Sequence, residues 1–229
     1  MTAQEMRFRF EDLYSKAFGG IVPKAAFLDS IEIAYFLNLA QDKFVEEWYR
    51  VFEYNEAARK RLSALVVETS VDRTAGAPTS SVKQYGEIWA LPANTLYVVQ
   101  EQAHIVRYAV GPPEVETIIN ANCDIKPVNL DYYNKHVNNS FKKPYSSLIW
   151  RLDIGDKKHE FITYDSETAG AVVRVKFYKV TYIKSPAEIK ILTSGSVNCE
   201  LSSDYHMEIV DEAVNIALSR FSLSQEENK

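Results

Sequence analysis

Cysteine, histidine and glycine are all scarce in this chain, and each shortage removes a class of chemistry. The two cysteines, Cys123 and Cys199, lie in different segments without a CxxC partner. Neither a disulfide framework nor a thiolate zinc site is indicated, and two buried thiols are expected instead. The four histidines, His104, His136, His159 and His206, stand far apart. None has the i, i+4 spacing of a helical metal site, and His159-Glu160 lacks the second histidine of a zincin. Eight glycines in 229 residues are about half the usual share, and no glycine-rich nucleotide loop occurs. No run approaches the roughly 18 apolar residues of a membrane span, and residues 1–10 carry no apolar signal core. The expectations are synthesis in a reducing cytoplasm, no membrane contact, no metal and no cofactor.

What is present describes a folded chain. Hydrophobic residues make up 46% and charged residues 25%, the profile of a globular protein with one large domain or two small ones. A net charge of −5 argues against a protein whose main task is gripping phosphates, which needs a basic surface. The 14 tyrosines and 11 phenylalanines supply contact area for a core or an interface, and composition does not separate the two.

Helices are signalled at both ends of the chain. Thr2 with Glu5 forms a capping box ahead of Met6, Phe10, Leu13, Tyr14 and Ala17 at helical spacing, and Gly19 and Gly20 stop that helix. Asp29 with Glu32 opens a second, stronger helix to about residue 52, whose stripe runs through Ile33, Leu37, Ala40, Phe44, Trp48, Val51 and Phe52. Ile31, Phe36, Leu39, Val45 and Tyr49 widen its apolar surface, either for a helix sandwiched in one core or for a subunit contact. A short basic helix follows at 55–64. A closing helix, capped near Ser203, carries Ile209, Val210, Ala213, Val214, Ala217 and Phe221, and residues 223–229 are expected to form a flexible tail.

Between these helices the texture is that of strands, at 65–71, 88–91, 95–110, 115–125, 148–154, 159–164, 171–183 and 189–192, with turns at 111–113, 165–170 and Ser185-Pro186. A short helix capped by Asn129 interrupts them. The strand at 171–183 would be about 40 Å long, enough to project or to pair with another chain. The fold class predicted is α+β: an N-terminal helical hairpin (1–64), a mostly antiparallel β-region (65–202) and a C-terminal helix (203–222) packing on the first helices, all in one structural unit.

Three constellations invite chemistry. Cys199 and His206 suggest a nucleophile and base, without an orienting third residue. Glu208, Asp211 and Glu212 share a helical face and could bind a cation, but a solvated acidic face is the better account. Tyr132, Tyr133, Phe141 and Tyr145 surround Lys142-Lys143, as stacking and phosphate contact would require, yet a packed loop is preferred because the net charge lends no supporting field. None amounts to a catalytic proposal.

Four phrases, EIAYFLNLAQDKFVEEWY, LPANTLYVV, IKPVNLDYYNKHVNNSFKKPYSSLIWRLD and CELSSDYHMEIVDEAVNIAL, together resemble, in this order, structural proteins of crAss-like phages of gut Bacteroidales. The resemblance spans nearly the whole chain. It implies a non-enzymatic virion protein made in the host bacterial cytoplasm and placed at the head–tail junction. There it would form a ring (adaptor) beneath the portal that seals and extends the DNA channel. Its partners would be further copies of itself in a homo-oligomeric dodecamer, the portal, other connector or tail proteins, and translocating DNA bound without sequence specificity. A tail-barrel ring, a head-completion protein or a cargo protein are near alternatives; a small hydrolase with acidic residues in a strand-rich cleft belongs to another class. For a ring subunit the interface residues predicted are Leu37, Phe44, Trp48, Ile209, Ala213 and Phe221.

Overall fold

The computed structural model describes residues 1–23, 26–76, 78–109, 116–164, 171–192 and 195–226. The expected turns at 111–113 and 165–170 lie outside them. The chain divides into two compact units, one formed by Met1–Val66 with Ser185–Lys229 and the other by Val67–Lys184.

The first unit is helical, with α1 (Ala3–Ala17), α2 (Ser30–Tyr49), α3 (Glu56–Leu62) and the closing helix (His206–Glu226). Both capping boxes form. Thr2 Oγ1 accepts from the Glu5 amide at 3.2 Å while Glu5 returns a bond to the Thr2 amide, and Asp29 and Glu32 do the same for α2. Gly19 and Gly20 take positive φ, where a side chain would be strained, and their amides close α1 onto the carbonyls of Lys16 and Ser15. α2 ends three residues before the expected boundary, at Tyr49, and passes into turns. The closing helix continues to Glu226, through part of the expected tail.

The segment 185–202, expected to belong to the β-region, instead packs in this unit, where Ile189, Ile191 and Leu201 are buried. No strand forms at 189–192. Asn38 on α2 supplies the hydrogen bonds a neighbouring strand would have given, accepting from the Ile189 amide at 2.7 Å and donating to its carbonyl at 3.0 Å. Gln41 likewise donates to the Ala187 carbonyl.

The second unit holds one sheet of eight strands, β1 (Val66–Asp72), β2 (Thr79–Ser80), β3 (Gly86–Ala90), β4 (Thr95–Ala109), β5 (Glu116–Pro127), β6 (Leu148–Asp153), β7 (Lys158–Ile162) and β8 (Ala171–Lys184), with two short helices, α4 (Arg73–Gly76) and α5 (Leu130–His136). With those labels set, the closing helix of the first unit is α6. The strand order is β1-β8-β4-β5-β6-β7-β3-β2. The pairings given by register are antiparallel except β5 with β6, which run parallel because the intervening chain crosses over through α5. The length of β8 is met within the chain: it pairs with β4 from Ala171↔Ala109 to Lys184↔Thr95.

The sheet curls on itself. In a flat sheet β7 and β8 would stand about 19 Å apart, four spacings of roughly 4.8 Å, yet the rings of Phe161 on β7 and Tyr178 on β8 lie 4.8 Å apart. Trp89, Ile105, Cys123, Ile149 and Val175 fill the concave side around them. On the opposite face α5 lays Tyr132, Tyr133 and Val137 over Trp150, Leu152 and Ile162, which is why residues of β6 alternate between two apolar environments.

Candidate assembly surface

The six predicted interface residues all fall in the helical unit. Leu37 and Phe44 on α2, with Ile209 and Ala213 on α6, are buried, and Trp48 and Phe221 are half-buried. The Arg61 guanidinium lies 4.0 Å from the Trp48 ring and 4.6 Å from Tyr205, and it is tied to Glu208 at 2.5 Å. Phe221 meets Phe18 edge-on at 5.5 Å. These contacts cover most of the apolar stripes of α2 and α6 within the unit, leaving Trp48 and Phe221 half-exposed and Val51 exposed.

The wider arc of α2 divides residue by residue. Phe36 and Val45 are buried, whereas Ile31 (74% exposed) and Leu39 face solvent. With Tyr35 they form an outward stripe at i, i+4 and i+8. Phe8, Ile21 and Phe27 (75% exposed) add further apolar surface to the unit. Two grooves of about 560 Å³ each share Tyr14 and Leu28; one is lined also by Ile31, Tyr35 and Phe36, the other by Phe10, Phe27 and Ile33. Exposed Asp29 borders the second groove and Glu32 the first. Ile31 and Leu39 were legible as apolar residues off the main stripe, whereas Tyr35 and Phe27 were not singled out, and a helical period alone does not say which of two apolar arcs is covered.

The second unit contains three buried carboxylates that no spacing in the sequence reveals. Glu87 (2% exposed) bonds Arg73 and Arg174 at 2.7 Å each. Glu160 accepts from Lys83 at 2.5 Å and from the Ser81 hydroxyl. Glu101 (7% exposed) takes Arg151 at 2.5 Å and the Tyr178 hydroxyl proton. His159 Nδ1 lies 3.0 Å from the Tyr178 oxygen and 3.1 Å from Glu101 Oε1. Because the Tyr178 proton goes to Glu101, the Nδ1 of His159 serves as donor. Burial and the adjoining Glu101 charge both raise the Tyr178 pKa, so the phenol remains a proton donor. The arrangement cross-links strands on both sides of the curl.

The constellations considered for chemistry resolve as packing. Burial pushes the Cys123 thiol up to about 12 and raises that of Cys199 as well, so neither is an activated nucleophile. His206 is held at both nitrogens, with Nε2 2.8 Å from the Leu201 carbonyl and Nδ1 3.0 Å from the Met1 amine. Glu208 and Glu212 pair with Arg61 and Lys43. Among the described residues no cluster of three His, Cys, Asp or Glu is placed to hold a metal, and no helix is long and apolar enough to cross a membrane. Tyr132 and Tyr133 pack edge-on against Trp150. Phe141, by contrast, is fully exposed, so the loop expected to be packed is packed at one end only.

His206 gives a pH prediction. Burial lowers its pKa, so below about pH 6.5 the unfolded chain takes up a proton that the folded chain refuses. Stability of the helical unit is therefore present above that pH and declines as pH falls toward the folded value. One such group contributes at most about 1.4 kcal/mol per pH unit. Urea midpoints of the helical unit at pH 7.5 and 5.5 should differ less in His206→Gln than in the parent; His104 and His136, whose pKa values burial also lowers, belong to the other unit and bear on its midpoint instead.

No curated protein matches this sequence. A family model described as phage tail ring protein 3/4, of crAss-like phages, matches residues 1–229.

Proposed function

Because this chain belongs to the phage tail ring protein 3/4 family, a family of structural virion proteins, we propose that it works as one subunit of a homo-oligomeric ring, a dodecamer, in the head-to-tail connector beneath the portal. Its function there is geometric: it matches the portal on one side and a tail component on the other, and extends a sealed channel through which DNA passes without sequence-specific contact. No catalytic step and no cofactor enter this reading.

The observation that carries self-association is the outward stripe of Ile31, Tyr35 and Leu39 beside two apolar grooves. Large apolar side chains gathered on one side of a helical unit mark an interaction surface, and a ring subunit needs two different surfaces that meet by rotation. A ring lower in the tail barrel is the second reading, favoured by the word tail in the family description.

The test is quantitative mass spectrometry of purified, DNA-filled particles combined with cross-linking. A copy number equal to that of the portal, with cross-links to it, is expected. The same copy number with cross-links only to tail proteins would move the ring down the barrel, and absence from particles would overturn both placements.

A further inference from the structure

The turn after α5 in the second unit holds an aromatic ring in solvent by design of its hydrogen bonds. Asn139 Oδ1 accepts from the Phe141 amide at 3.0 Å, and the Asn139 carbonyl accepts from the amides of Lys142 and Lys143 at 3.0 and 2.9 Å. Phe141 is 100% exposed on this closed turn. Lys126, Lys135, Lys142 and Lys143 are exposed around it, and Asp131 is the sole acidic residue from 126 to 147. None of the four lysines forms an ion pair among the described residues; Arg73, Lys83, Arg151, Arg174 and Lys176 of the same unit do, Arg107, Lys157, Lys158 and Lys179 do not, and what sets the four apart is their gathering around one turn. The lysine charges also converge on His136, whose pKa is lowered by burial and then by Lys142, Lys135 and Lys126. In a chain of net charge −5 this is a segregated basic knob with an apolar tip.

We propose that the Phe141 knob of one copy seats in the α1–α2 groove of the next copy. Resting on the ring reading, the proposal names the two unlike surfaces that a head-to-tail contact requires. The groove lined by Tyr14, Phe27, Leu28 and Ile33 is mostly apolar and wide enough for an aromatic side chain, and the Arg7 that also lines it is already neutralised by Glu11 at 2.7 Å. Asp29 stands exposed at the edge of this groove, and Glu32, one turn on, at the edge of the adjoining one; both carboxylates cap the start of α2, and neither pairs with a cation among the described residues. An aromatic anchor within a polar, oppositely charged rim is the usual form of an interface hot spot. A duplex backbone would answer the lysines, but contact to phosphates is made by charge and leaves an exposed Phe141 without a role.

The test uses two full-length variants at exposed positions, Phe141→Asp in the knob and Phe27→Asp in the groove, with circular dichroism to check folding and native mass spectrometry to count copies. Each alone is expected to associate at least about 30-fold more weakly than the parent. Mixed, they retain one intact knob and one intact groove between them and should form one-to-one dimers that grow no further. Assembly of Phe141→Asp at parental strength overturns the knob; so does a mixture that yields no dimer from a parent that oligomerises. Loss of duplex-DNA binding in Lys135→Glu/Lys142→Glu/Lys143→Glu, with assembly unchanged, assigns the patch to phosphate and overturns the proposal. A parent that stays monomeric at high concentration defeats the ring reading itself, a result separate from failure of the knob alone.

Discussion

Leu37→Asp or Ala213→Asp will cost the helical unit its fold, whereas Ile31→Asp, on the same helix as Leu37, will leave the fold intact and weaken self-association. Leu37 and Ala213 have no exposed surface, and α2 and α6 pack directly against each other. An aspartate there must either stay ionised without a partner or be buried protonated, and each costs several kcal/mol, a large part of the 5–15 kcal/mol that stabilises a typical domain. The expected readout is loss of helical circular dichroism and of a cooperative urea transition. Ile31 already faces water, so a charge there changes what the surface attracts and little else. A folded, parent-like Ala213→Asp would mean that the α2–α6 contact is not the core it is described as. A parent-like oligomer of Ile31→Asp would remove the α2 stripe from the assembly surface.

Glu101→Leu will destabilise the β-unit by about 3–5 kcal/mol, because it leaves Arg151 without its carboxylate and the Tyr178 hydroxyl without its acceptor. Both partners are buried or nearly so, so water cannot replace the lost bonds cheaply. The double variant Glu101→Leu/Arg151→Met should recover a large share of the loss, since removing both charges avoids the stranded one. Urea unfolding of the four chains in the cycle measures this. A single variant within about 0.5 kcal/mol of the parent would show that the pair is open to solvent after all.

These two experiments separate the parts of the molecule that differ in how far they can be read from residues alone. The capping boxes at Thr2 and Asp29, the Gly19-Gly20 stop and the Asn129 cap are written in side chains that bond their own neighbours, so they were legible in advance. The strands alternate or run apolar with period two, and most of them fell within a residue or two of expectation. Residues 189–192 have the same texture and made no strand: Asn38, far away in sequence, took the hydrogen bonds of Ile189, and Lys190 and Leu192 bond back to Val197 and Ser196 of the following turn. Trp48 and Phe221 carry the pattern of a subunit contact and are half-buried against Arg61 and Phe18 of the unit itself, since periodicity records that a side chain is apolar and not which neighbour covers it.

The family and the α+β class followed from local phrases and element order, which depend on residues close together in the chain. What tertiary structure alone decided is where surfaces are left over. The parallel β5–β6 pair, the curl that brings Phe161 to Tyr178, and the burial of the Glu87, Glu101 and Glu160 side chains beside their cations all join residues distant in sequence. The exposure of Ile31 beside buried Leu37 likewise depends on which distant elements cover α2. Those outcomes come from packing two faces together at once. No window of neighbouring residues contains that information.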